Sequence, residues 1–234
     1  MGLTTDTYRK PFYFRFPEKS FCRTADFITV PIPEAIEGYY PEFHGKIRVI
    51  PQGFKFELPG PLVDSPLHKC PTFAYSGAFI PGLRDPRPLL DYLSTVQIPF
   101  RFICFTRQAG LILPYKDKFG ERLEIREFIP RNELLRTLAE MDFVVNLENR
   151  VAMQSPSKLI DYAIANRPIL SVDPLELPYA KINEFLEGNY QRRLVIPDLE
   201  RYQIQNVACE FISLTLDEQK QPAHHSPIAN PTLT

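Results

Sequence analysis

The sequence predicts an α/β fold in which a doubly wound parallel sheet is covered by helices on both faces. Short apolar segments typical of buried strands alternate with segments whose apolar residues recur every three or four positions, as in helices. Prolines and glycines separate these segments. Because 44% of the residues are hydrophobic, the chain can bury a sizeable core. These observations favour alternating strands and helices around one sheet.

The regular part of the pattern begins at Cys70. The expected strands are 72–76, 100–105, 123–127, 143–147, 169–172 and 194–196. The expected helices are 86–96, 131–140, 157–165, 178–186 and 199–216. We therefore expect a Rossmann-like domain over residues 70–218, with any ligand at the carboxyl ends of its strands.

Residues 1–69 follow a less regular pattern, which predicts the end of another α/β domain and a linker. Strands are expected at 27–30 and 46–50 and helices at 18–24 and 33–40, while Pro11 and Pro17 should break any longer helix. Aromatic residues are concentrated before them and need a surface to cover them: Tyr8, Phe12, Tyr13, Phe14 and Phe16. Residues 219–234 are expected to form a disordered tail.

Composition excludes several classes of protein. The net charge is −1, without a cluster of basic residues, so no nucleic-acid partner is expected. No apolar run approaches the roughly 20 residues of a transmembrane segment, and the charged opening does not resemble a signal peptide. The cysteines are dispersed, which indicates free thiols in a reducing cytoplasm and no zinc site: Cys22, Cys70, Cys104 and Cys209.

The stretch from Asn146 to Val172 carries the best indication of a ligand. A polar loop follows an apolar strand and opens a helix at Ser155, Pro156, Ser157 and Lys158. Free backbone N–H groups, serine hydroxyls and the lysine charge at such a helix start can bind an anion. The alternative is a well-capped helix that binds nothing.

A second loop with suitable chemistry follows the first strand of the regular part. Gly77 allows a ligand to approach the backbone closely, and Arg84 and Arg87 lie on the same rim. Together with the helix start at Ser155, this loop could hold a diphosphate. The alternative is a simple turn followed by two solvated arginines.

Sugar contacts are expected from the same stretch. Asp161 lies three residues after Lys158 and can accept hydrogen bonds from ribose hydroxyls, unless it is only a surface acid that favours the helix dipole. The loop before the helix offers Glu148, Asn149 and Arg150 to a sugar. No phosphate-binding glycine motif of the dinucleotide or Walker type is present, and His44 and His68 lack the spacing of metal ligands.

Four segments, taken in order, resemble one family. They read KIRVIPQGFKFE (46–57), FAYSGAFIPGLRDPRPLLDYL (73–93), LEIREFIPRNELLRTLAEMDFVVNL (123–147) and SPSKLIDYAIANRPIL (155–170). This succession resembles the nucleotide-sugar-binding C-terminal half of GT-B glycosyltransferases of the retaining, group 1-like kind. It extends from about Asp26 to the closing helix.

The resemblance implies roles for individual residues. Gly77 would lie near the donor phosphates, and Arg84 or Arg87 would replace the basic phosphate-binding residue of the family. Ser157 and Lys158 would contact the pyrophosphate, and Asp161 matches the second acid of the family's Glu, seven residues, Glu pattern, which holds the ribose. The first acid falls at Met153, and Ala78 stands where many relatives have arginine.

The activity implied is transfer of a sugar from a nucleoside-diphosphate sugar to a glycan or lipid-linked acceptor, without metal or cofactor, in polysaccharide biosynthesis. Such an enzyme would be cytoplasmic or peripheral at the inner membrane. Residues 1–69 would be a remnant of the acceptor domain, so further partners are a missing N-terminal domain or a second copy bound through the aromatic segment. The alternatives are a noncatalytic sugar-nucleotide-binding or assembly module and a sugar-nucleotide epimerase.

Overall fold

Two parallel sheets organise the chain in the computed structural model, which describes residues 11–148 and 157–218. The small sheet pairs β1 (Ile28–Val30) with β2 (Ile47–Val49). The large sheet contains β3 (Thr72–Ser76), β4 (Arg101–Phe105), β5 (Leu123–Arg126), β6 (Phe143–Leu147) and β7 (Ile169–Val172). Its strand order is β5-β4-β3-β6-β7, and every neighbouring pair is parallel. The predicted doubly wound parallel sheet is confirmed.

The helices follow the strands along the chain. They are α1 (Arg15–Thr24), α2 (Arg87–Leu93), α3 (Leu113–Phe119), α4 (Arg131–Ala139), α5 (Lys158–Ile164), α6 (Tyr179–Leu186) and α7 (Ile204–Glu218). Apolar side chains of α2, α3 and α6 pack on one face of the large sheet, and those of α4 and α5 pack on the other. Both faces are therefore covered, which explains why the central strands are apolar throughout.

The centre of the large sheet is held by aromatic stacking. Every residue of β3 and of β6 is buried. The ring of Phe73 lies 4.8 Å from that of Phe102 and 4.5 Å from that of Phe143, centroid to centroid, and both pairs are stacked. Such pairs contribute about 0.5–1.5 kcal/mol beyond the burial of their area. The strands that carry the two ligand-side loops are thus the most firmly packed.

The small sheet has a core of its own. Its buried residues are Cys22, Ile28, Val30, Ala35, Phe43 and Ile47. Lys46 closes the end of α1, because its Nζ donates hydrogen bonds to the carbonyl oxygens of Cys22, Arg23 and Ala25. The segment that connects the small sheet to the large sheet contacts the start of α7. There the N–H of Ile204 donates a hydrogen bond to the carbonyl of Phe54 at 2.9 Å.

Several predicted elements differ from those observed. The segment 33–40 contains a 3₁₀-helix, Pro33–Gly38, instead of an α-helix, and a second 3₁₀-helix follows at Pro41–Lys46. Pro17 does not break α1, because it lies in the first turn, where its missing N–H has no helical partner to lose. The strand predicted at 194–196 is a single antiparallel bridge between Leu194 and Ile169. The closing helix begins at Ile204, after a 3₁₀ turn at Leu199–Tyr202, and α3 was not predicted at all.

Candidate functional site

The strand order reverses at β3, and this is where the candidate site lies. From β3 the chain continues to β4 on one side, whereas β6 lies on the other side. In doubly wound sheets, ligands bind at the carboxyl ends of the strands beside such a reversal, which here is the edge at the ends of β3 and β6. This is the position that the sequence predicted for a ligand.

Gly77 forms the turn at the end of β3. Its φ is +146°, and a Cβ built on it would lie 3.2 Å from the hydroxyl oxygen of Tyr75. Its N–H donates a hydrogen bond to the carbonyl of Phe105 at 3.1 Å. The conformation favours glycine, so the chain can turn sharply here and leave its backbone accessible.

The two predicted arginines have different surroundings. The guanidinium of Arg87 is held by the carboxylate of Asp85, with Nε donating to Oδ1 at 2.9 Å and to Oδ2 at 3.1 Å. Hydrogen bonds from Arg87 are the main reason why the pKa of Asp85 falls to about 2. The Nε of Arg84, in contrast, is buried and has no hydrogen-bond partner in the described part of the chain. Of the two guanidinium groups, only that of Arg87 is thus held by a carboxylate among the described residues.

Lys158 is the second cation without a partner. Its Nζ is buried, makes no hydrogen bond with any described residue, and lies 4.5 Å from the ring centroid of Tyr75. Burial, and then the positive charge of Arg84, lower its pKa from 10.5 to about 7. Two positive groups are thus kept together in a poorly solvated place, where an incoming anion would stabilise both.

The helix that carries Lys158 is fastened to the turn at Gly77. The hydroxyl of Tyr162 accepts a hydrogen bond from the N–H of Ser76 at 2.9 Å and donates one to the carbonyl of the same residue at 3.2 Å. Tyr162 is 1% exposed, and burial raises its pKa. Tyr162 is therefore a core residue that also fixes the helix carrying Lys158 relative to β3.

Asp161 has a partner that the sequence did not indicate. The Nε of Arg131, the first residue of α4, donates a hydrogen bond to Oδ1 of Asp161 at 2.8 Å, and Nη2 lies 2.6 Å from the same oxygen. The arginine guanidinium also lies 5.4 Å above the centroid of the Phe54 ring. Asp161 therefore forms an ion pair with Arg131 that joins α5 to α4.

The remaining predicted residues lie at the same edge or outside the described part. Ser157 is exposed and makes no capping hydrogen bond, so the predicted serine cap is not present at this residue. Glu148 lies at the end of β6, where its N–H donates to the carbonyl of Val172 and its charge acts on Lys181. The predicted residues outside the described part are Asn149, Arg150, Met153 and Ser155.

A cleft lies at the same edge of the sheet, at the ends of β4 and β5. Its volume is about 390 Å³, and it is lined by Thr106, Arg107, Ala109, Ile125, Arg126, Glu127 and Phe128. The ring of Phe128 is 40% exposed, with the guanidinium of Arg107 5.3 Å from its centroid. The sequence predicted a ligand at the carboxyl ends of the strands but did not indicate these residues individually. The exposed aromatic beside two strand ends was the signal that could have found them.

Other features of the chain lie away from this edge. The ring of Phe12 is 76% exposed and that of Phe16 is 60% exposed, as expected for the aromatic segment, whereas Tyr8 lies outside the described residues. His68 contacts the buried carboxylate of Asp142, and His44 contacts the carbonyl of Tyr39. In the described ranges, no group of three metal-ligating side chains occurs, and no helix is long and apolar enough to cross a membrane.

Comparison with solved structures identifies the fold. The chain superposes on a glycosyltransferase from Rickettsia africae with a TM-score of 0.63 and 10% identity, covering 92% of this chain and 69% of the other. It matches Anabaena HepE in complex with UDP with a TM-score of 0.63 and 12% identity, covering 93% and 70%. The lipopolysaccharide outer core galactosyltransferase WaaB gives 0.58 and 13%, covering 84% and 63%.

The chain has a GT-B-like fold. These structural neighbours are glycosyltransferases of the GT-B type. The chain spans less than two thirds of the length of WaaB. Neither a protein-family model nor a curated protein matches the sequence. The sequence-based prediction of the fold is confirmed, and the assignment of activity rests on the chemistry of the site.

Proposed function

We propose that this chain binds a nucleoside-diphosphate sugar and forms the donor-binding half of a retaining, group 1-like glycosyltransferase. The observation that carries the proposal is a pair of buried nitrogen atoms, Arg84 Nε and Lys158 Nζ, which have no hydrogen-bond partner among the described residues and lie where the strand order reverses. Isolated buried charges are costly, so a fold that keeps two of them together is suited to a ligand with compensating negative charge.

A diphosphate has the right chemistry for this place. Its oxygens can accept hydrogen bonds from Arg84 and Lys158, and the turn at Gly77 leaves the backbone open to close approach. A charge-assisted hydrogen bond contributes about 1.5–3 kcal/mol, so two of them support micromolar binding after the entropic cost of association. HepE has been determined in complex with UDP and with UDP-glucose, which favours the same ligand class here.

The rest of a nucleotide can follow the same edge of the sheet. Asp161 follows Lys158 by three residues in α5 and has one carboxylate oxygen engaged by Arg131, and the other can accept a hydrogen bond from a ribose hydroxyl. The cleft beyond β4 and β5 then offers the exposed ring of Phe128, on which a base can stack. The donor sugar would extend from the diphosphate toward Glu148 and the residues that follow it.

The chemistry we propose is electrostatic. When the bond between the sugar and the diphosphate breaks, negative charge accumulates on the leaving phosphate oxygen. Lys158 and Arg84, fixed before the reaction, stabilise that charge without reorganising. The acceptor is a glycan or a lipid-linked saccharide, as in polysaccharide biosynthesis. No metal takes part in this proposal, because the two cations supply the positive charge.

The acceptor would require a further surface. We propose that an acceptor-binding domain covers the exposed aromatic rings of α1 and its preceding turn, with self-association as the alternative. Sedimentation at several protein concentrations separates these two, because only self-association makes the mass depend on concentration. For a lipid-linked acceptor the enzyme would act in the cytoplasm, peripheral to the inner membrane, and fractionation of cells tests that location.

Calorimetric titration with UDP, GDP and inorganic pyrophosphate tests the donor site. We expect dissociation constants in the micromolar range for at least one nucleotide, and a loss of about 10- to 150-fold for Lys158→Met or Arg84→Met. Arg87→Met is the matched control and should leave affinity within about twofold, since Asp85 already holds that guanidinium. Absence of binding at millimolar nucleotide, or equal losses for all three variants, would refute the diphosphate site.

Release of sugar from the bound donor distinguishes an enzyme from a binding module. A glycosyltransferase should hydrolyse its donor slowly and transfer faster when an acceptor domain and acceptor are added. If nucleotide binds and sugar is never released under these conditions, the noncatalytic module is correct. The epimerase alternative needs a histidine beside a carboxylate in the crevice, and both described histidines lie elsewhere.

A further inference from the structure

Arg131 is placed to control the geometry of the candidate ribose site. It is the first residue of α4, and its guanidinium reaches across to α5, where Nε donates a hydrogen bond to Oδ1 of Asp161 and Nη2 lies against the same oxygen without hydrogen-bond geometry. Arginine and carboxylate often pair through two parallel hydrogen bonds that use both oxygens. The arrangement here uses one oxygen only. The other, Oδ2, has no described side-chain partner and remains able to accept a hydrogen bond.

This ion pair restricts a side chain that would otherwise move. A carboxylate in the first turn of an exposed helix exchanges among rotamers on a fast timescale. The Asp161 side chain is 20% exposed and the Arg131 side chain is 36% exposed, so their contact is partly shielded from water. The arginine therefore holds the carboxylate in one orientation before any ligand arrives, which reduces the entropic cost of binding.

Arg131 is itself held by the crossover segment. Its guanidinium lies 5.4 Å from the centroid of the Phe54 ring, a cation–π distance. The backbone of Phe54 is fixed on both sides, because its N–H donates to the carbonyl of Tyr202 at 2.8 Å and its carbonyl accepts from Ile204 at 2.9 Å. Asp161, Arg131 and Phe54 thus form a continuous contact from α5 to the closing helix. An ion pair that only stabilised the surface would not require the additional contact between Arg131 and the Phe54 ring.

We propose that Arg131 is a positioning residue that presents Oδ2 of Asp161 to a hydroxyl of the nucleotide ribose, and so makes the site prefer ribonucleotides to deoxyribonucleotides. This inference rests on the proposed nucleotide site. It goes beyond that function by naming a residue outside the proposed contacts and a specificity that follows from it. Arg131 does not touch the ligand in this arrangement and acts only through Asp161.

Binding of UDP, 2′-deoxy-UDP, 3′-deoxy-UDP and inorganic pyrophosphate tests the inference by calorimetry. We expect the unmodified protein to bind UDP at least about tenfold more tightly than one of the deoxy analogues, because a hydroxyl lost from a charged acceptor costs that much. In Arg131→Met this ratio should fall toward one while the affinity for pyrophosphate stays within about twofold. Arg131→Lys should restore part of the ratio, and Asp161→Asn should reduce it as Arg131→Met does.

Arg136→Met is the matched control, because Arg136 lies exposed on the same helix. It should change neither the ratio nor the affinity for pyrophosphate. A purely structural role for Arg131 would weaken UDP, its analogues and pyrophosphate alike, and would overturn the inference. So would an unmodified protein that binds UDP and both analogues equally, although the diphosphate site would then survive. If neither UDP nor pyrophosphate binds, both proposals are wrong.

Discussion

Nucleotide binding should weaken steeply as the pH rises above neutrality, because Lys158 loses its charge there. Burial and the nearby charge of Arg84 lower its pKa from 10.5 to about 7, whereas a bound diphosphate would favour the charged form and raise the pKa again. The phosphates are already fully ionised above about pH 7 and add no slope of their own. The dissociation constant of UDP should therefore rise by nearly tenfold per pH unit between about pH 7.5 and 9.

The same lysine should make the unliganded protein more stable as the pH rises. A base whose pKa is lowered on folding penalises the folded state below that pKa, and the penalty disappears as the pH increases from about 7 toward 10.5. At about 1.4 kcal/mol per pKa unit, the lowering from 10.5 to about 7 corresponds to a penalty on the order of 5 kcal/mol. Lys158→Met should thus be more stable than the unmodified protein at pH 6, although it binds UDP more weakly.

Calorimetry across this pH range and urea unfolding at pH 6 and 9 measure both effects. Lys158→Arg keeps its charge at every pH used and should give a nearly flat affinity profile. Lys118→Met, on the exposed face of α3, is the control for loss of a lysine. Two results together would contradict the role given to Lys158 as a buried cation that binds an anion. They are a dissociation constant of UDP that does not change with pH in the unmodified protein, and a Lys158→Met variant that is less stable than the unmodified protein at pH 6.

Three further substitutions test the residues that hold the candidate site in place. Gly77→Ala should destabilise the fold by about 1–3 kcal/mol in urea, because its φ of +146° is unfavourable for other residues. Tyr162→Phe should lose about 1–3 kcal/mol in thermal unfolding and weaken UDP binding, because two buried backbone groups of Ser76 lose their partner. Asp85→Ala should remove a stabilisation that is present above about pH 4 and lost toward pH 2, as shown by acid titration, because the pKa of Asp85 is lowered to about 2.

The sequence predicted three of the strands well because each is a continuous buried segment. β3, β6 and β7 begin and end where expected, since each is fully buried, mostly apolar and bounded by residues that interrupt a strand. The short elements were harder. Over six residues, as in Pro33–Gly38, a 3₁₀-helix and an α-helix place apolar side chains almost alike, and tertiary packing selects between them. In α3, Pro114 obscured a helix that begins one residue earlier.

The residues of the candidate site could be selected from the sequence, but the contacts between them could not. Gly77, Arg84 and Lys158 follow from residue type and from their loops at the carboxyl edge of the sheet. Whether Arg84 or Arg87 is free depends on where the Asp85 carboxylate points, which a sequence does not specify. The contact of Arg131 with Asp161 joins residues 30 apart, and that of Tyr162 with Ser76 joins residues 86 apart. Such pairs arise only when the sheet brings α4, α5 and β3 together.

Because Lys158 lies over the ring of Tyr75, the tyrosine spectrum of the protein can report the binding of a ligand. The chain has no tryptophan and 11 tyrosines, so its ultraviolet emission is that of tyrosine alone. The Tyr75 ring is buried, with an ammonium 4.5 Å from its centre, and its electronic transitions respond to that charge. An anion bound beside the ammonium will change the electric field at the ring and shift the spectrum without any label. In the same background, a tryptophan introduced as Phe128→Trp would be the sole indole in the molecule, and its fluorescence would report whether a base enters the neighbouring cleft.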